Sequence, residues 1–126
     1  MKHLPQISEA EWEVMTVLWE GSPLTAQSII RKLEGKCSWK PKTVKSLISR
    51  LLNKKVIGFE AMDRSYAYHP LISRDEYIIE ESRTFLDRVY NGSFSSMVST
   101  LVHSSSLNKN DVAALRKILD DSGRKG

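Results

Sequence analysis

The stretch from Trp39 to Glu60, WKPKTVKSLISRLLNKKVIGFE, combines an apolar stripe with a concentration of positive charge. It carries six lysines and arginines, and its only acidic residue is the last one. Pro41 suits the first turn of a helix, where a missing N–H group costs no hydrogen bond. Apolar residues recur at the three- and four-residue spacing of one helix face, and they are Val44, Leu47, Ile48 and Leu51. The stretch therefore predicts an amphipathic helix whose second face is cationic instead of mixed in sign.

Two helices are predicted before this one. Ser8 followed by Glu11 has the spacing of a capping box, in which each side chain bonds a backbone N–H group at the helix start. The apolar stripe of this first helix is Trp12, Met15, Leu18 and Trp19. Because Glu11 and Glu13 flank Trp12, we expect both carboxylates to be solvated on the outer face. Thr25 is the expected cap of the second helix, whose inward residues are Ala26, Ile29, Ile30 and Leu33.

Alternating apolar residues after the third helix predict a β-hairpin. The segment VIGFEAMDRSYAYHPL places apolar side chains at alternate positions on either side of the polar turn MDRS. Three short helices followed by a hairpin are the order of a winged helix-turn-helix. In that fold the third helix packs on the first two through one face and lies in the major groove of DNA through the other. The predicted fold class is therefore mainly α with a small β-hairpin wing.

The second half of the chain is predicted to be helical. Ser73 with Glu76 forms a second capping box, and the long helix that it begins ends at Asn91-Gly92. A shorter amphipathic helix follows, and then a last helix with Asn108 or Ser106 as its cap. Three helices of this length bury too little apolar surface for a core of their own, so we expect a second identical chain to cover them. The predicted domains are a winged helix over residues 1–71 and a helical dimerisation domain over residues 72–126. The predicted dimerisation residues are Tyr77, Phe85, Val89, Phe94, Met97, Val98, Leu101, Leu115, Ile118 and Leu119.

Charge and cysteine content narrow the class of protein. The chain of 126 residues has a net charge of +4, and all of this excess lies in residues 1–70, which hold 11 Lys and Arg against 7 Asp and Glu. Such asymmetry fits a polyanionic partner such as DNA, and it fits equally well a basic face that only keeps the protein in solution. A single cysteine excludes an internal disulfide and a cysteine metal cluster. No stretch has the pattern of a signal peptide or a membrane span. We therefore expect a cytoplasmic protein that does not bind membranes directly.

Nothing in the sequence indicates catalysis. The three histidines are far apart, none lies in a nucleophile motif, and there is no glycine-rich phosphate loop. We therefore predict that the protein is not an enzyme and has neither a cofactor nor a metal site.

Four stretches together resemble the penicillinase-repressor (BlaI/MecI/CopY) family of bacterial transcriptional regulators. They are ISEAEWEVMTVLW, WKPKTVKSLISRLLNKKVIG, YAYHPLIS and FLDRVYNGSFSSMV, and the resemblance runs from about Ile7 to Leu119. It implies a homodimeric repressor that binds a palindromic operator through an N-terminal winged helix. Lys40 belongs to the cationic stretch, and Arg64 would be the cation of the wing. The other DNA-binding residues implied by position are Lys42, Thr43, Lys45, Ser46 and Arg50. For Lys54 and Lys55, a solvated helix end and a DNA contact are both open.

The resemblance leaves the release mechanism open. Copper-responsive members carry a C-terminal cysteine motif, which is disfavoured here because Cys37 is the only cysteine. Other members work with a membrane-bound sensor protease that responds to β-lactam antibiotics and cuts the dimerisation helix at an Asn-Phe pair. The matching bond here is Thr100-Leu101. The alternatives are a copper-type repressor without its cysteine tail and a winged-helix module that binds an acidic protein. Trp39 could anchor such a protein interface, but we expect it to pack the turn before the third helix, next to a partly buried Cys37.

Overall fold

The computed structural model describes residues 4–125 and divides into two compact units, the first ending at Glu81 and the second beginning at Ser82. The described residues form six helices and three strands. In chain order they are α1 (Glu9–Glu20), β1 (Leu24–Thr25), α2 (Ala26–Glu34), α3 (Pro41–Asn53), β2 (Ile57–Met62), β3 (Ser65–Pro70), α4 (Arg74–Tyr90), α5 (Phe94–His103) and α6 (Lys109–Lys125).

The first unit has a winged-helix core. The predicted inner stripe of α3 is buried in full, and it packs against buried residues of the two preceding helices. In α1 these are Val14, Met15, Val17 and Leu18, and in α2 they are Ile29, Ile30 and Leu33. Both predicted capping boxes are present. In the first, Glu11 N donates to Ser8 Oγ (3.1 Å) and Ser8 N donates to Glu11 Oε1 (2.8 Å). In the second, Glu76 N donates to Ser73 Oγ (3.0 Å) and Ser73 N donates to Glu76 Oε1 (3.3 Å). The fold class inferred from the order of helices and hairpin is confirmed.

The wing belongs to a sheet of three strands rather than two. Its antiparallel order is β1-β3-β2, and the loop between β2 and β3 consists of Asp63 and Arg64. Asp63 has a φ of 51°, the left-handed conformation that short hairpin loops favour and that Asp tolerates. The sequence prediction missed β1, because two residues, Leu24 and Thr25, are too few to show alternation.

Helix α4 is anchored in the core of the first unit through Tyr77. The ring of Tyr77 is 3% exposed and lies 5.7 Å from the ring of Trp12 and 6.3 Å from that of Trp19, between centroids. Its hydroxyl accepts a hydrogen bond from Ile7 N at 3.0 Å. Burial raises the pKa of this phenol, although the bond from Ile7 opposes the shift. The side chain of Tyr77, predicted to take part in dimerisation, is thus enclosed within one chain and offers almost no surface to a partner.

The second unit, described by itself, lacks a core. None of its described residues from 82 to 123 has a buried side chain. Its helix ends are nevertheless well defined: Asn91 (φ 50°) and Gly92 (φ 81°) end α4, and Asn108 Oδ1 accepts the N–H of Asp111 at the start of α6. The large apolar side chains that remain exposed are Phe85, Val89, Phe94, Val102, Ile118 and Leu119.

The core position of Leu51 gives a test of this fold. Leu51 is completely buried at the centre of the first unit, so Leu51→Ala should lower the free energy of unfolding by about 2–5 kcal/mol through lost burial and a residual cavity. Urea unfolding measures the change. Ser49→Ala, on the exposed face of the same helix, should change it by less than about 0.5 kcal/mol. Equal, small effects would contradict the assigned inner face of α3.

Candidate nucleic-acid interface

The outward face of α3 is entirely polar and carries no negative charge. Its side chains are all exposed, and they include each residue predicted for this face: Lys42, Thr43, Lys45, Ser46 and Arg50. Ser49, which was not among the predicted DNA-binding residues, also lies exposed on this helix and extends the set. Because the buried stripe fixes the rotation of the helix, these cations and hydroxyl groups share one surface.

The residues before α3 hold its first turn in place. Pro41 is the first helical residue, and the exposed Lys40 occupies the N-cap position without a side-chain capping bond. Trp39 packs partly buried against the core, as expected for the turn before the helix. Cys37 is also partly buried, as predicted. The N-terminal end of α3 thus combines an aromatic anchor with an exposed lysine.

The wing brings a separate cation and an aromatic pair to the surface. Arg64 is exposed in the hairpin loop between β2 and β3. Phe59 and Tyr66 are about half exposed and meet edge to face, with ring centroids 4.8 Å apart. The position of Arg64 on a loop lets it reach a ligand independently of the side chains on α3.

The two ion pairs recorded among the described side chains leave the cations of this surface unpaired. One joins Lys36 and Glu20 at 3.5 Å, and the other joins Lys54 and Glu11 at 2.5 Å. Neither uses a cation from the outward face of α3 or from the wing loop. That surface can therefore attract an anion without first breaking an internal ion pair.

Glu11 and Lys54 lie in environments that the sequence did not indicate. Glu11 was expected in solvent but is 1% exposed, because its carboxylate lies under the end of α3 and meets the Nζ of Lys54. The same Nζ donates to the carbonyl oxygen of Gln6 at 2.7 Å. Lys54, for which a solvated helix end and a DNA contact were both open, forms an internal ion pair in this structure. Lys55 is exposed.

The charge state of Glu11 depends on these bonds. Burial alone would raise the pKa of the carboxyl, but hydrogen bonds from Lys54 and Ser8 outweigh it and lower the pKa below the ordinary value of glutamate. Its Oε2 is buried and has no hydrogen-bond donor among the described residues. The buried negative charge is therefore stabilised at one oxygen only, and chiefly by Lys54.

The chemistry of the surface suits binding rather than catalysis. Lysine and arginine attract phosphates, while hydroxyl groups can bond base edges. In the described part of the chain no three His, Cys, Asp or Glu side chains are grouped as a metal ion would require, and no described helix is long and apolar enough to cross a membrane.

The chain is similar in sequence to known repressor proteins. A family model described as Penicillinase repressor matches residues 7–121. The chain is 36% identical over 121 residues to the Penicillinase repressor of Bacillus licheniformis. That match covers 96% of this chain and 94% of the relative. It is 33% identical over 115 residues to the Methicillin resistance regulatory protein MecI of Staphylococcus aureus (strain N315). That match covers 91% of this chain and 94% of the relative.

A solved structure agrees with the sequence comparisons. The fold is similar to the solution structure of the Bacillus licheniformis BlaI monomeric form in complex with the blaP half-operator. The TM-score is 0.54 at 36% identity, and the match covers 61% of this chain and 94% of that one. Sequence and fold thus point to the same group of proteins.

The lowered pKa of Glu11 predicts how stability depends on pH. A group whose pKa is lower in the folded state stabilises the fold above its unfolded pKa, and this contribution is lost as the pH falls through the folded pKa. Glu11→Gln should therefore be less stable than the natural protein at pH 7, and the difference should shrink below the ordinary glutamate pKa of about 4.3. Urea unfolding from pH 7 to pH 3 measures it. Glu13→Gln makes the same charge change on the same helix and should keep the natural profile. A difference that stays constant with pH would contradict the ion pair.

Proposed function

The chain belongs to the penicillinase repressor family, a family of DNA-binding transcriptional repressors and not of enzymes, and on that premise we propose that it represses transcription as a homodimer on a palindromic operator. The observation that carries the proposal is the outward face of α3, where three unpaired cations and three hydroxyl groups lie on a helix without a single acidic residue.

The DNA contacts divide by chemistry. Lys42, Lys45 and Arg50 bind phosphates or guanine edges, with Lys40 at the start of the helix and Arg64 on the wing as further phosphate contacts. Thr43 and Ser46 touch base edges or a thymine methyl group and contribute to sequence preference. The BlaI structure with a half-operator supports a DNA-binding role for the same kind of fold.

Dimerisation through the second unit follows from its apolar surface. Nine of the ten predicted residues, all except Tyr77, lie in this unit, and none of them is buried within the chain. Phe85, Val89, Phe94, Ile118 and Leu119 are exposed, and Val102 joins them. The partly buried members are Met97, Val98, Leu101 and Leu115. A second copy would cover these side chains, and exposed apolar surface of this extent marks an interface.

A palindromic operator is the expected target of such a dimer. Two identical chains related by a two-fold axis present two α3 helices with the same symmetry, which matches two half-sites of inverted sequence. Each half-site would be read by one outward face of α3.

Release by proteolysis is proposed at the bond between Thr100 and Leu101. Both residues lie in the middle of α5, where the carbonyl of Thr100 accepts the N–H of Ser104 at 3.1 Å. Cleavage therefore requires α5 to open locally first. A membrane-bound sensor protease is the proposed partner. A copper-type release is disfavoured because Cys37 is the only cysteine in the chain.

The first experiment measures binding to a fragment of the protein's own promoter and to a scrambled duplex across a salt series. The natural protein should prefer the promoter fragment and show a steep salt dependence. Lys42→Ala should weaken binding to both duplexes and reduce the salt slope by about one, because one phosphate contact is lost. Lys36→Ala, which removes a lysine already paired with Glu20, is the control and should keep the slope.

The outcome separates two classes of protein. Equal and weak binding of the natural protein to both duplexes would refute the repressor proposal and favour a winged-helix module that binds an acidic protein. An unchanged salt slope for Lys42→Ala, with selective binding intact, would refute only the assignment of the outward face of α3.

A substitution on α6 tests whether the second unit forms the proposed dimer. Ile118 is 63% exposed, so Ile118→Asp should leave the isolated chain folded but place a charge in the proposed interface, where its desolvation is unfavourable. Sedimentation should then give the mass of a monomer and operator binding should weaken. Asn110→Asp adds the same charge on the same helix at an exposed polar position and should remain a dimer. A dimer for Ile118→Asp would contradict the role of α6.

A further inference from the structure

The C-terminal end of α3 is held by a polar contact that is not part of the proposed DNA-binding face. Lys54 is the C-cap residue of α3, and its Nζ bonds Glu11 on α1 and the carbonyl of Gln6 before α1. Lys54 is also tied back to the helix, because its N–H donates to the carbonyl oxygen of Arg50 at 3.0 Å. The side chain thus links α1 to the turn of α3 that carries Arg50.

An ion pair of this kind is a poor source of stability. Removing a carboxylate and an ammonium group from water costs much of what their attraction returns, and an apolar pair of similar size is often as stable. Such a pair can instead specify one arrangement, since it is directional whereas apolar packing is not. Helices α1 and α3 otherwise share the apolar core, which includes Met15, Leu18 and Leu51. The pair with Glu11 is therefore suited to fix the position of the end of α3.

We propose that Glu11 and Lys54 are a positioning pair for DNA binding, which sets the placement of α3 and of Arg50 without touching the DNA. Lys54 is then not a phosphate contact, although it lies in the cationic stretch and one residue from the exposed Lys55. The inference rests on the proposed repressor function. It adds to that function two residues that contact the buried side and the end of α3 and do not touch the DNA.

Glu11→Gln distinguishes positioning from simple electrostatics, because the two predict opposite signs. If only charge mattered, removing an acid would free Lys54 and strengthen attraction to DNA. If the pair positions α3, the same change should weaken selective binding. We expect about fivefold to tenfold lower affinity for the promoter fragment, at the low end of typical coupling between sites, with affinity for the scrambled duplex unchanged or higher.

The measurements are made at a temperature where circular dichroism shows each variant to be folded, so that lost stability alone does not affect binding. Lys54→Met should reproduce the loss of selectivity, and the double variant with Glu11→Gln should be no worse than either single one. Lys54→Arg, which retains a cation, should restore part of the selectivity. Lys55→Met is the matched control and should keep the promoter preference. Amide hydrogen exchange without DNA should be faster in Glu11→Gln than in the natural protein at the N–H groups of Lys54 and Val56. These groups bond the carbonyl oxygens of Arg50 and Leu51.

The failure of this inference can be told from that of the repressor proposal. If the natural protein prefers its promoter fragment and Glu11→Gln binds it as tightly or more tightly, the positioning role is refuted and the repressor proposal stands. If the natural protein shows no preference, both are refuted. Should Glu11→Gln not fold, an equal loss of affinity for both duplexes in Lys54→Met, with a lower salt slope, would assign Lys54 to phosphate contact and refute positioning.

Discussion

The third helix must bury one face and leave the other charged, and the first unit is arranged around that requirement. A cation cannot enter an apolar core without a partner, so the apolar stripe of α3 determines where its lysines and arginine point. Helices α1 and α2 supply the matching apolar surface, and Trp39 closes the core beside the first turn. The outward face then needs no further contact to stay exposed, which leaves it available to a ligand.

Much of this unit could be predicted because its signals are local. The stripe of α3, the cap at Ser8 and the hairpin each depend on residues a few positions apart, and the structure has all three. The errors concern contacts distant in sequence. Glu11 meets Lys54 across 43 positions and Tyr77 meets Ile7 across 70, and neither periodicity nor charge pattern contains information about such pairs. The DNA contacts themselves remain predictions, since they depend on a partner.

The second unit, unlike the first, does not enclose its apolar side chains. Its helices have regular caps but no interior, so apolar residues such as Phe94 and Ile118 are left in contact with water. A single chain gains little from folding this part, whereas two chains could bury the same surface together. If the proposed dimer forms, the stability of this unit depends on protein concentration. The alignment of two α3 helices on one operator then depends on it as well.

The lysines of one short stretch illustrate why charge alone does not assign function. Lys42 and Lys54 occupy the same amphipathic segment, and composition gives no reason to treat them differently. The fold separates them: Lys42 points into solvent, while the ammonium group of Lys54 is drawn back to a carboxylate that the core has enclosed. What decides between the two is the position of Glu11, an acid that reaches the end of α3 only because α1 and α3 pack face to face. A basic stretch can therefore contain both the groups that bind a polyanion and a group that holds them in position, and only the partner of each charge tells them apart.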